Sequence, residues 1–300
     1  MDWQETKAFL APCFPEEVCE EMELLYPGEL REIRVRAGRP VVFRTQTRQT
    51  ALSWTPGPRE VETLAEALSG HSLYAREDET RQGYVTLRGG HRMGLCGRVH
   101  QHHMLRELSG IGSLCIRIAA AWPGCADPLI PLVLREGRVR SGMLLGAPGT
   151  GKTTLLRDLA RQLASGRAAR QVAVIDERGE LAACTEGIPQ LDVGAWTDVL
   201  DGCGKEQAVP WLLRSMAPEV IVTDELSGPS DVAAVRDALS AGVAVIASLH
   251  AASLQEVAGR PVVSQLLAAR CFDWYALLHP EGGGRIAAVY DRAGSPVKLP

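Results

Sequence analysis

Aromatic residues make up only 5% of the 300-residue chain, and Lys plus Arg (32) do not outnumber Asp plus Glu (36). A net charge of −4 leaves no general polycation to hold nucleic acid. Arginines gather near residues 31–48 and 88–98, but so few aromatics supply no stacking platform for single strands. No apolar run approaches the ~18 residues of a membrane span. The opening residues, Met1-Asp2-Trp3-Gln4-Glu5, lack the basic start and apolar centre of a secretion signal, so a cytoplasmic location is expected. The eight cysteines (Cys13, Cys19, Cys96, Cys115, Cys125, Cys184, Cys203, Cys271) form no C-x-x-C pair and read as reduced thiols, not a disulfide or zinc framework. Nor does an Asn/Thr-Lys-x-Asp sequence occur, which removes the usual guanine-selecting element and favours ATP over GTP.

What is present is a complete phosphate-binding loop. Residues 146–153 read Gly-Ala-Pro-Gly-Thr-Gly-Lys-Thr. Its glycines (Gly146, Gly149, Gly151) let backbone N–H groups turn inward as a nest that opens onto the positive end of a helix. Lys152 is placed to reach the β- and γ-phosphates and Thr153 to ligate Mg²⁺. The flanks agree: Met143-Leu144-Leu145 suits a buried strand, and Leu155, Leu156, Leu159, Ala160 and Leu163 recur at helical spacing up to Gly166.

Around this loop the pattern is strand, helix, strand. Val172 to Ile175, Val220 to Thr223 and Val243 to Ala247 are continuous apolar runs, as expected of parallel strands covered on both faces. The tail differs, with Asp273 to Leu278 and Arg285 to Tyr290 flanking Gly282-Gly283-Gly284 as a closing hairpin. Upstream, Glu32 to Arg36 alternates before Gly38 and Pro40, Leu64 to Leu68 reads as helix, and Tyr84 to Leu87 with Gly89 to Leu95 reads as a hairpin. Trp122-Pro123-Gly124 and Asp127-Pro128 carry turn residues typical of a connection. The expectation is an α+β domain over 1–120 and an α/β domain over 121–300. His100, His102 and His103 read as an exposed turn and not a metal site.

Hydrolysis of a phosphoanhydride needs neutralised phosphates and a group that orients water. Val220 to Glu225 has Walker B form, an apolar strand delivering Asp224 toward Mg²⁺ and Glu225 toward the nucleophile. Asp176, Glu177 and Glu180 crowd around Arg178 at another strand end, the sheet edge where α/β ligands bind. Ser248-Leu249-His250 ends the strand after Walker B, where a γ-phosphate is within reach.

P-loop, acidic box, Walker B and strand-end histidine in this order resemble the secretion and pilus-motor (type II/IV secretion) ATPase superfamily, and within it the stage III sporulation protein AA family of endospore-forming bacteria. The likeness extends through Glu32 to Pro40, Ser72 to Ala75, Gln82 to Thr86, Gly89 to Arg92, Asp176 to Arg178, Gly187 to Gln190, Thr197 to Cys203 and Arg214 to Met216. It implies a RecA-like P-loop core with a smaller N-terminal α+β domain, and a hexameric ring in which domains of neighbouring subunits sandwich ATP. It also implies work on membrane proteins of the sporulation stage III channel, from the cytoplasmic face in the mother cell. Residue by residue, nucleotide contacts fall on Gly146, Ala147, Pro148, Gly149, Thr150, Gly151, Lys152, Thr153 and Thr154, and the metal on Thr153 and Asp224. Catalytic roles fall on Lys152, Glu225, Asp176, Glu177 and His250. Arg92, Arg98 and Arg117 occupy the region from which the superfamily supplies phosphate contacts. One departure is Ser227, in Asp224-Glu225-Leu226-Ser227-Gly228-Pro229, where the superfamily motif is Asp-Glu-Ile-Gly. A helix is expected from Asp231 to Ala241. A nucleic-acid-handling RecA-like ATPase and a nucleotide-gated scaffold without turnover stay open as alternatives.

Overall fold

The computed structural model describes residues 3–73, 77–102, 105–119, 122–167, 169–260 and 263–299. Contacts divide the chain into two units, Met1–Ala121 with Cys184–Leu191, and Trp122–Ala183 with Asp192–Pro300.

In the first unit, α1 (Trp3–Leu10) and α2 (Glu16–Glu23) precede β1 (Leu30–Arg36), β2 (Arg39–Thr45) and β3 (Gln49–Ala51). Next come α3 (Pro58–Leu68), α4 (Glu77–Arg81), β4 (Tyr84–Thr86), β5 (Arg92–His102) and β6 (Leu105–Arg117). The strands form one antiparallel sheet in the order β3-β2-β1-β6-β5-β4. Helix α3 explains its own docking: Val61, Leu64, Ala65 and Leu68 fall on one stripe, and all are buried with Ile33, Val35 and Phe43 of the sheet. The segment Cys184–Leu191 belongs here although it lies far along the chain. Gly89 N donates to Gln190 Oε1 at 3.3 Å, and the Leu191 side chain packs onto Gly90. His100 and His102 are the end of strand β5 and not a turn, because pairing with β6 continues to His102 opposite Leu105. His103 lies outside the described residues.

The second unit begins with α5 (Ile130–Val133) and a two-residue ribbon, β7 (Leu134–Arg135) with β8 (Arg138–Val139). It then alternates through β9 (Gly142–Leu145), α6 (Lys152–Leu163), β10 (Val172–Asp176), β11 (Thr197–Asp201), α7 (Lys205–Ser215), β12 (Val220–Glu225), α8 (Pro229–Ser240) and β13 (Ala244–Leu249). It closes with α9 (Leu254–Gly259), α10 (Ser264–Ala268), β14 (Trp274–Leu278), β15 (Ile286–Asp291) and β16 (Pro296–Val297). The sheet order is β11-β10-β12-β13-β9-β14-β15-β16, parallel through β14 and antiparallel beyond it.

The apolar runs are continuous because both sheet faces are covered. Met143, Leu145, Ala173, Ile175, Ile221 and Val245 point to the side of α7 and α8, with Ala208, Val209, Leu212, Val232, Val235 and Ala238. Their neighbours Leu144, Val172, Val174, Val220, Val222 and Ile246 point the other way and meet Leu155, Leu156, Leu159 and Leu163 of α6. Helix α8 starts at Pro229, two residues before the expected Asp231, since proline is suited to the first helical position. Asp231 instead caps it: its Oδ2 accepts from Ser227 N at 2.7 Å, Ser227 Oγ at 3.1 Å and Gly228 N at 3.2 Å. Ser227 thus serves the turn, which accommodates the departure noted in the sequence.

Candidate functional site

Strand β9 ends at Leu145, and the chain turns through Gly146–Gly151 before α6 begins at Lys152. Gly151 has φ +102°, a left-handed value, and a side chain there would also meet Gly284 N at 2.8 Å. Thr150 is buried and its Oγ1 donates to Ala147 O at 2.8 Å, which ties the loop across its own width. Lys152 Nζ donates to Gly146 O at 2.7 Å and Ala147 O at 2.9 Å. Burial pushes the Lys152 pKa down, and Glu225 opposes that shift.

Of the six parallel strands, β9, β10, β12 and β13 bring their C-terminal ends to one stretch of the sheet edge. A cleft of about 430 Å³ opens there, lined by Pro148, Gly149, Gly151, Lys152, Thr153, Thr154, Arg178, Glu180, Asp224, Glu225, Ser248 and His250. Two loci far apart in the sequence are therefore one place in space: the lysine of the loop and the glutamate ending β12 face a common cavity. Glu225 Oε1 lies 3.1 Å from His250 Nδ1, and Glu225 Oε2 lies 4.0 Å from Arg178 Nη1. Burial lowers the His250 pKa, reinforced by Lys152 and opposed by Glu225. Glu225 therefore faces a largely neutral imidazole at pH 7.

Asp224 is buried at the wall of this cleft, and burial raises its pKa to about 6 even though the Lys205 ammonium favours the ionised form. Lys205 Nζ is 3.2 Å from Asp224 Oδ1, close enough for ion pairing, yet that oxygen has no partner with hydrogen-bond geometry. A carboxylate in this condition is suited to a further cation. Thr153 and Asp224 are oxygen donors lining one cavity, the ligand chemistry a hard divalent ion takes.

The acidic box behaves differently from its appearance in the sequence. Asp176 is fully buried and is absent from the cleft lining. Its two oxygens accept from the amides of Glu180 at 2.8 Å, Leu181 at 3.1 Å, Ala182 at 2.7 Å and Ala183 at 3.2 Å. With both oxygens so used, the carboxylate shapes the turn after β10. Glu177 is also absent from the lining; its Oε2 accepts from Lys205 Nζ at 2.9 Å. Arg178 and Glu180 are the box residues that face the cleft. Gly146, Ala147 and Thr150 are loop residues outside the lining; Gly146 and Thr150 are buried and Ala147 is exposed. Arg92, Arg98 and Arg117 belong to the first unit, where the Arg92 guanidinium stacks 3.8 Å over the Tyr84 ring.

Two residues escaped the sequence reading. Lys205, at the start of α7, bridges Glu177 and Asp224 from a site only 3% exposed. Arg157, one turn along α6, donates to Leu181 O at 2.7 Å and Glu180 O at 2.6 Å and so pins the same turn that Asp176 organises. Both resemble ordinary surface charges in a helix; Lys205 is distinguished by its burial and the half-buried Arg157 by its bonds to the turn.

Comparison with known proteins agrees with this architecture. The family described as Sporulation stage III, protein AA, matches residues 14–297. The chain is similar to the Stage III sporulation protein AA of Bacillus subtilis (strain 168), with 39% identity over 272 residues that cover 89% of this chain and 88% of that one. Among solved structures it is similar to the pilus retraction motor PilT with bound ADP, at TM-score 0.59 and 18% identity, covering 87% of this chain and 76% of that one. The ATPase DotB of Yersinia pseudotuberculosis aligns at TM-score 0.57 and 12% identity, covering 93% and 80%. At such identities these structures speak for the fold alone, which is the α/β, RecA-like P-loop core with a smaller α+β unit. With the family match running through nearly the whole chain, the chain belongs to the sporulation stage III protein AA family.

Proposed function

We propose that this chain binds MgATP in the cleft beside Lys152 and hydrolyses it, as a ring motor that works on a membrane channel complex. The observation carrying this reading is that Lys152, Thr153, Asp224, Glu225 and His250, from the loop and two strand ends, line one cavity. In the proposed mechanism the amides of Gly149–Thr153 and the Lys152 ammonium neutralise the triphosphate. Thr153 and Asp224 would hold Mg²⁺, which when bound shields charge on the β- and γ-phosphates. Glu225 orients water for in-line attack, and His250, 3.1 Å away, fixes the carboxylate and senses the γ-phosphate. Asp176 and Glu177 serve from behind, shaping the turn and holding Lys205.

A glutamate poised to aim water has no use in a nucleotide switch without turnover, which sets this reading above the scaffold. A net charge of −4 gives nucleic acid no general polycation to hold it. Among the described residues no helix is long and apolar enough to cross a membrane. The family supports the finer proposals: a homo-oligomeric, hexameric ring whose neighbouring subunits complete the site, cytoplasmic in the mother cell, acting on stage III channel proteins. Phosphate release by the purified chain tests the reading, alone and then with cytoplasmic segments of candidate channel proteins or with nucleic acid. Turnover raised by the channel segments supports it; no turnover under any condition, or stimulation by nucleic acid alone, contradicts it.

A further inference from the structure

The least expected group near the cleft is the ammonium of Lys205. It is 3% exposed, and it is the first residue of α7, where the helix's own positive end disfavours a cation. A buried ammonium persists only if carboxylates compensate it. Here they come from two strand ends, Glu177 Oε2 at 2.9 Å after β10 and Asp224 Oδ1 at 3.2 Å in β12. The negative charge of Asp231 adds to their effect, and together these outweigh burial and hold the Lys205 pKa above its ordinary value. Asp224 lines the cleft, whereas Glu177 does not.

Such a buried cluster is poor economy for stability alone, because packed apolar side chains of similar size commonly do as well. Its effect is geometric. The ammonium stands between the Asp224 carboxylate at the end of β12 and Glu177, and so links that strand end to the turn after β10.

Resting on the hydrolytic reading above, we infer that Lys205 is a positioning residue: it fixes the Asp224 carboxylate at the cleft wall, and Glu177 contributes by holding Lys205 and not by touching the reactants. Glu177 then needs only an oxygen that accepts from the ammonium. It needs no charge of its own at the phosphates and no ability to take a proton.

The test uses the full chain, with kcat from phosphate release, ADP affinity from titration, and thermal melting to confirm folding. Misplacing a cleft group by about 1 Å costs up to ~100-fold in rate. Lys205→Met is therefore expected to lower kcat by about 10- to 100-fold while ADP affinity changes less than about threefold. Glu177→Ala lowers kcat in the same way. Glu177→Gln, which keeps an accepting oxygen, holds kcat within about threefold of the wild type, and the Lys205→Met/Glu177→Ala double variant is no slower than Lys205→Met alone. Glu177→Gln as slow as Glu177→Ala would overturn the inference, as would losses that multiply in the double variant or full turnover by Lys205→Met. Should Lys205→Met fail to fold, the Glu177→Ala and Glu177→Gln pair decides by the same criterion. Wild type without turnover would strike the hydrolytic reading itself, whereas an active wild type with the wrong variant pattern strikes only the role of Lys205.

Discussion

Glu225 and His250 meet at 3.1 Å because strands β12 and β13 are parallel neighbours that pair Glu225 with Ser248, two residues before the histidine. The register shifts between Val222 and Glu225, so the glutamate is offset from the regular pleat at the point where it enters the cleft. A neutral imidazole beside the carboxylate orients it without cancelling its charge. His250→Ala is expected to lower kcat by about tenfold or more with ADP affinity kept, as measured by phosphate release and ADP titration. A change in affinity with kcat intact would assign the histidine to binding.

Lys152→Ala is expected to abolish measurable turnover, a loss of at least ~100-fold, while the melting temperature stays close to wild type. The lysine contacts only loop carbonyls among its hydrogen bonds, and no core packing depends on its charge. Parallel phosphate-release and melting curves check this.

The closing hairpin bears directly on the P-loop. Gly284 N donates to Thr150 O at 2.9 Å, and a side chain on Gly282 would stand 3.2 Å from Gly149 O. Gly283 has a similar left-handed φ, +74° against +80° at Gly282, but faces open space. Gly282→Val is expected to raise the KM for ATP about tenfold and Gly283→Val by less than about twofold, with similar losses of melting temperature. Equal kinetic effects would remove the hairpin from the nucleotide site.

His91 carries a pH signature in the first unit. It is 1% exposed, accepts from Ala119 N through Nδ1, and burial lowers its pKa from 6.5 to about 4. Between those values the unfolded chain binds a proton that the folded chain refuses, so stability falls as pH drops from 6.5 toward 4 and is unaffected by this group above 6.5. The difference between 6.5 and about 4 corresponds to about 3 kcal/mol. Asp224 acts in the opposite sense, since its raised pKa lets the folded state take up a proton first and gain stability as pH falls through about 6. Urea denaturation across pH 4–7 should therefore show His91→Asn gaining about 3 kcal/mol relative to wild type on acidification. A pH-independent difference would mean that His91 is not buried neutral.

The sequence made the P-loop core legible for a definite reason. Strands β9, β10, β12 and β13 are buried on both faces, so they stand out as unbroken apolar runs, and the P-loop needs particular residues at fixed spacing. Strand β11 was missed because it lies at the sheet edge, half exposed along Thr197–Leu200, and reads as polar loop. The attachment of 184–191 to the first unit rests on Gln190 and Leu191 meeting Gly89 and Gly90, contacts across about 100 residues that no local pattern announces. The acidic box was legible as chemistry but not as geometry: its spacing gives no sign that four amides would occupy Asp176. Lys205 was illegible for the same reason, since the start of α7 has the composition of a solvated helix end.

The central claim is that the loop at Lys152 and the strand end at Glu225 serve one bound triphosphate. Its most direct test is Glu225→Gln, measured for ATP binding and for phosphate release on the same preparation. ATP bound with near wild-type affinity and phosphate release slowed by about 100-fold or more is the predicted result. Phosphate release at the wild-type rate would contradict it.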